Sequence, residues 1–234
     1  IAGESGATKP IIRNCILQDG YEQLVKVTYS RTVLDLHARE GLIENCLFQY
    51  TAGIGPNYYI GGIDAHGIQG WIIRNNIFVN IASPSKHIAE HAIHLWNDTS
   101  NNLISENIII NSDRGIGLGM RQKRQNYLSH SNLGGTIENN AIYHAKNHHK
   151  FADTGIVLED SPKVIVKDNI IYFEHDYPNA IEFRFEQTQG VIIKNNSVNR
   201  AIKRRDSGQA IIGGNDVSES AKEQFIIKLQ GIID

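Results

Sequence analysis

The stretch WIIRNNIFVNI, residues 71–81, sets the pattern of the chain. It places an aliphatic residue at Ile73, an amide at Asn76 and an apolar residue at Phe78. Outward from it the same spacing returns at Ile12, Cys15 and Leu17, and again at Ile43, Cys46 and Phe48. Toward the C-terminus it returns at Ile104, Asn107 and Ile109, then at Ile137, Asn140 and Ile142. Val166, Asn169 and Ile171, then Ile193, Asn196 and Val198, complete seven copies. The Cys or Asn positions stand 27 to 33 residues apart, a period that marks a stack of like supersecondary units.

Alternating apolar residues in each copy indicate a strand with one buried face. A second alternation recurs some 12–15 residues earlier, at Leu34/Leu36, Ile63/Ala65, Ile93/Leu95, Ile116/Leu118, Ile156/Leu158 and Ile181/Phe183, and more weakly at Ile211/Gly213. Two short strands per repeat cannot bury a face alone, but stacked as parallel strands they share a continuous core. The expected fold is therefore all-β: a single-stranded, right-handed parallel β-helix of about seven to eight coils, forming one domain over residues 1–234. A buried amide needs hydrogen-bond partners, and Asn stacked on Asn supplies them rung after rung. Cys15 and Cys46 occupy the same column and are read as small buried hydrophobes, although stacked rungs also permit a disulfide.

Charged residues make up 21% of the chain and the net charge is −2, which does not point to nucleic acid as a partner. No apolar run reaches the roughly 18–20 residues of a membrane span. The chain opens IAGESG, without an initiator Met or a signal peptide, and reads either as a mature protein or as a piece of a longer one.

Longer connections fall at 49–60 and 79–91, with Tyr58, Tyr59, Lys86, His87 and His91, and at 120–135, with Arg121, Lys123 and Arg124. They flank the second alternation, whose outer face is expected to lie in a trough. Residues between the inward ones point outward: Asp35/His37, Asp64/His66, His94/Trp96, Gly117/Gly119, Val157/Glu159 and Glu182/Arg184. A carboxylate beside an imidazole prepares a general base. Abstraction of a proton alpha to a uronate carboxylate needs such a base and a nearby cation. His66 with Asp64 fits the first need, and Arg184, His94 or a calcium ion on Asp35 and Asp64 the second. Trp96 offers a flat surface for a sugar ring, and His37, Tyr58, Arg121 and Lys123 complete the candidate contacts. Glu159 and Glu182 would instead suit glycoside hydrolysis. A zinc site on His37, His66 and His94 matches by ligand type but not by any compact spacing. His144, His148 and His149 are read as solvated loop residues rather than ligands.

The stretches GIDAHGIQGWIIRNNIFVNI, HAIHLWNDTSNNLISENIIIN, GIVLEDSPKVIVKDNIIY and AIEFRFEQTQGVIIKNNSVNRAI resemble the bacterial right-handed parallel β-helix proteins of the pectate-lyase-like superfamily. That resemblance implies an extracellular or periplasmic protein acting on an acidic polysaccharide, often with calcium, as a lyase, hydrolase, epimerase or binding module. The Arg-x-Pro-x-x-Arg element of pectate lyases is absent. Of the Asp-Pro-His-Asp element of alginate epimerases, only Asp64 and His66 stand at matching positions. The reading is β-elimination or epimerisation by His66 and Asp64, with a non-catalytic glycan-binding or structural module, or a hydrolase, as the alternatives.

Overall fold

A computed structural model describes residues 1–30, 36–84, 91–120, 130–147 and 149–233. Among the described residues three eight-stranded sheets and one four-stranded sheet make up the strands, and every pairing is parallel. In each long sheet successive coils lie side by side, which is the right-handed parallel β-helix expected.

The repeat does not form one strand. It straddles a corner between two sheets: Ile72–Arg74 belongs to the second sheet and Ile77–Val79 to the third. The reason lies in the residue before each Cys or Asn. Asn14, Asn45, Asn75, Glu106, Asn139, Asp168, Asn195 and Gly214 all have positive φ, near 55° for most of them, which bends the chain between two short strands. Asn, Asp and Gly tolerate this conformation best. Each coil thus contributes three long-sheet strands instead of two.

At the inner side of this corner the asparagines form a ladder. The Asn107 Oδ1 accepts from the Asn76 backbone N–H at 3.1 Å and its side-chain amide at 3.0 Å, while the Asn107 Nδ2 donates to the Ile73 carbonyl at 2.9 Å. Asn140, Asn169 and Asn196 repeat these bonds. The ladder continues to Asn215, only 19 residues beyond Asn196, making an eighth copy that the spacing had concealed. Cys46 and Cys15 are free thiols that donate weakly to backbone carbonyls in this column, with Cys46 buried and Cys15 half-buried.

The first sheet carries the second alternation, with two corrections. Its early strand is Gln23–Val27, with Val25 opposite Ile63 and Val27 opposite Ala65, the place expected for Leu34 and Leu36. In this coil the long connection follows the strand instead of preceding it. Leu34 lies outside the described residues. At the other end, Ile211/Gly213 belongs to the second sheet, and Ala201–Arg205 closes the first. The core between the sheets is mostly aliphatic, with a few aromatics such as Phe48 and Phe78, stacked at 4.5 Å. The chain ends in a helix, Ser220–Ile233, which packs Phe225 onto Ile108 and Ala141 of the third sheet. Among the described residues no helix is long and apolar enough to cross a membrane.

Candidate functional site

Outward residues of the first sheet fall into two columns, as a strand's two-residue period requires. One runs Lys26, Asp64, His94, Gly117, Val157, Glu182 and Lys203. The other pairs His66 with Trp96 and, further along, Glu159 with Arg184 and Arg184 with Arg205. Asp64, His66, His94 and Trp96 therefore meet as expected, and Lys26 joins them in the place assigned to Asp35.

Asp64 is the hub. Its side chain is only 1% exposed, against 25% for Lys26 and 16% for His66. Oδ1 accepts from the Trp96 indole at 2.7 Å, and Oδ2 takes the Lys26 ammonium. The Lys26 Nζ also lies 3.2 Å from the Tyr59 hydroxyl and 3.3 Å from the His66 Nε2. An ammonium can only donate, so it faces a lone pair on Nε2. Burial opposes a charge on Asp64, but His66, His94 and Lys26 outweigh it and hold the carboxyl well below the usual range. For Lys26 burial again opposes the charge, yet Asp64 and Tyr59 prevail and its pKa is raised. The pair is thus a carboxylate and a fixed ammonium, with an imidazole lone pair beside them. The Trp96 ring meets His66 edge-on at 4.2 Å.

Other assignments change. The His94 side chain is buried and shares its Nε2 with the Gly119 carbonyl at 3.1 Å, so it supports Trp96, stacked at 5.4 Å, and does not face a substrate. Arg184 stands four rungs from His66, about 19 Å at the usual strand spacing. It is held by Glu159 at 2.7 Å and Asp206 at 2.9 Å, and cannot assist His66. Glu182 is buried and bonded to Tyr177, Asn179 and Arg205, while Glu159 is paired with Arg184, so the hydrolase pair is consumed by structural ion pairs. His37 does not stack on His66. It lies 2.9 Å from Asp98, whose carboxylate also accepts from the Tyr29 hydroxyl at 3.0 Å. The zinc set of His37, His66 and His94 is therefore not brought together.

Asp64 is a poor calcium ligand because each oxygen already has a donor and one of these is a cation. Asp35, Arg121, Lys123, Arg124, Lys86 and His87 lie outside the described residues, as do parts of both expected trough walls. Tyr58 is 58% exposed and stands beside Tyr59. His91 is buried against Gly117, where any Cβ would collide with its ring, and neither nitrogen has a partner among the described residues. Burial, with His94 and Arg114, holds His91 well below the ordinary histidine range.

Lys26 is absent from the sequence expectation because the apolar alternation at Leu34/Leu36 points to a later strand than Gln23–Val27. The alternation Val25–Lys26–Val27 was the available signal. The histidine cluster is corrected too: His144 is buried, its pKa lowered to about 3 mainly by burial, and only His148 lies outside the described residues.

Parallel coils, an asparagine-lined corner and a polar stripe along one sheet define a β-solenoid with a side-chain cluster on its outer face. The chain belongs to the right-handed β-helix family, whose model matches residues 1–198. Neither the curated proteins nor the solved structures compared with it include a match.

Proposed function

We propose that the chain acts on an acidic, uronate-containing polysaccharide by β-elimination or epimerisation, with His66 as base and Lys26 as the cation. The observation that carries this is the 3.3 Å approach of the Lys26 Nζ to the His66 Nε2 above a buried Asp64. A uronate carboxylate would draw the ammonium to itself and leave the Nε2 lone pair facing the alpha proton. As the proton moves to Nε2, Asp64, whose Oδ1 is 3.4 Å away, stabilises the imidazolium. The released electron pair forms the new double bond while the bond to the β oxygen breaks. The Tyr59 hydroxyl, 3.2 Å from the Lys26 Nζ, would then protonate the departing oxygen or, in epimerisation, return a proton to the carbon. Such chemistry accords with the pectate-lyase-like resemblance and with an extracellular or periplasmic setting.

The test is a panel of acidic polysaccharides incubated with the protein and with His66→Ala. An ultraviolet-absorbing unsaturated product, or an altered uronate epimer ratio, is expected from the native chain. A drop of about 10²–10⁴-fold is expected for the variant. Retardation of a polysaccharide in a gel without either product would make the stripe a binding surface and overturn the catalytic reading. Equal activity in His66→Ala would overturn the role of the base.

A further inference from the structure

The corner between the third and first sheets holds a second cluster, independent of the stripe. The candidate ligand atoms of Asp113, His144 and His149 lie within 4.8 Å of one another. Backbone carbonyls fix both imidazoles. The His144 Nδ1 meets the Ala145 carbonyl at 2.8 Å, and the His149 Nε2 meets the Gly53 carbonyl at 2.9 Å. A carbonyl can only accept, so each of these nitrogens carries its ring's proton. The remaining nitrogens, His144 Nε2 and His149 Nδ1, are then both lone-pair acceptors, and they face each other at 3.3 Å. The Asn147 amide Nδ2 also approaches the His149 Nδ1, at 3.3 Å, as a donor would.

Two facing lone pairs repel unless a cation lies between them. The third group offers a carboxylate that a bound cation would hold in its charged form: Asp113 is 1% exposed, its Oδ2 accepts from the Ser83 N–H at 2.7 Å, and its Oδ1 has no partner among the described residues. Two nitrogens each about 2.0–2.1 Å from a tetrahedral zinc lie about 3.3–3.4 Å apart, the separation seen here. The carbonyl bonds on the far side of each ring are the outer-shell contacts that orient histidine ligands.

We propose that Asp113, His144 and His149 bind a divalent transition metal of the zinc class, through His144 Nε2, His149 Nδ1 and the Asp113 carboxylate. Two imidazoles and a single carboxylate favour zinc, cobalt or nickel over calcium or magnesium. Three protein donors leave a fourth position for water. The ion would join the turn before one first-sheet strand to the connection before the next. Through the His149 bond to Gly53 it would reach the connection of an earlier coil as well.

The test uses untagged, chelator-treated full chain titrated with zinc and, separately, with cobalt. One ion per chain, intense visible cobalt bands of a tetrahedral site, and a raised melting temperature with zinc are expected. His149→Ala, in the half-buried loop, and Asp113→Asn, which keeps its shape, should each weaken binding at least tenfold. Circular dichroism of each apo variant shows whether the fold is intact. Failure of the native chain to bind zinc or cobalt stoichiometrically overturns the site, whatever the variants do. Native-like affinity in both folded variants overturns it equally.

Discussion

The asparagine corner and the outer stripe of the first sheet run along the same coils, yet the repeat treats them differently. At the corner each rung reproduces its neighbour: Asn76, Asn107, Asn140, Asn169 and Asn196 each donate to a carbonyl of the preceding coil and accept from the asparagine or cysteine backbone there. On the stripe no rung resembles the next, passing from Lys26 to Asp64 to His94 and then to Gly117. A corner of identical bonds can only be structural, because each amide is used by its neighbours. Chemistry is available where the pattern lapses and a group such as His66 keeps part of its surface exposed.

The largest effect should come from breaking the corner. Asn107→Ala removes the acceptor used by the Asn76 backbone and side chain, and orphans the Ile73 carbonyl from that donor. Each buried group left unpaired costs about 1–3 kcal/mol, so a total loss of about 3 kcal/mol or more is expected in denaturant unfolding. A ladder that tolerated this change with an unshifted midpoint would not be holding the coils.

Lys26→Met tests the stripe at its best-paired point. It leaves the Asp64 carboxylate with Trp96 and His66 but without its ammonium. Since Lys26 is a quarter exposed and Asp64 is not, a loss of about 1–3 kcal/mol is expected. Lys26→Met combined with Asp64→Asn should recover part of it. If the pair were only structural, Lys26→Arg would preserve any turnover found. If Lys26 positions a carboxylate beside His66, Lys26→Arg should lower turnover while keeping stability.

How much of this was legible depends on where the information lies. The coil period and the column of amides are local regularities, repeated often enough to survive loop insertions, and they predict the parallel stack. The corner inside each repeat was hidden because its signal is a backbone angle at Asn75 and its equivalents, not a side-chain alternation. The eighth rung escaped because its interval shrank to 19 residues. Asp35 was expected where Lys26 stands because one long connection lies on the other side of its strand, which shifts the register of a whole coil. Asp113, His144 and His149 converge only through the winding of successive coils, and nothing in their spacing announces it.

Acid should distinguish the buried imidazole under the stripe from the exposed chemistry above it. Folded His91 is held neutral by burial, assisted by His94 and Arg114, so its folded pKa lies well below its unfolded value of about 6.5. As pH falls through that unfolded value the denatured chain gains a proton that the folded chain does not. Stability contributed by His91 is present above about pH 6.5 and declines below it, by up to about 1.4 kcal/mol per pH unit, until the folded pKa is reached. His91→Phe should flatten this part of the stability profile between neutral pH and about pH 5. An identical slope in the variant would show that His91 is charged in the folded chain.

The smallest effect should come from the far end of the stripe. Arg184→Ala removes ion pairs to Glu159 and Asp206, the latter carboxylate 42% exposed, and should cost about 1 kcal/mol or less. Four rungs from His66, it should leave turnover on any short acidic oligosaccharide unchanged. A longer chain lying along the rod would pass over it, so a rise in KM confined to long substrates would make the C-terminal rungs a binding extension. A fall in kcat on short substrates would contradict the separation between the Lys26–His66 cluster and the ion pairs beyond it, and would return Arg184 to the reacting centre.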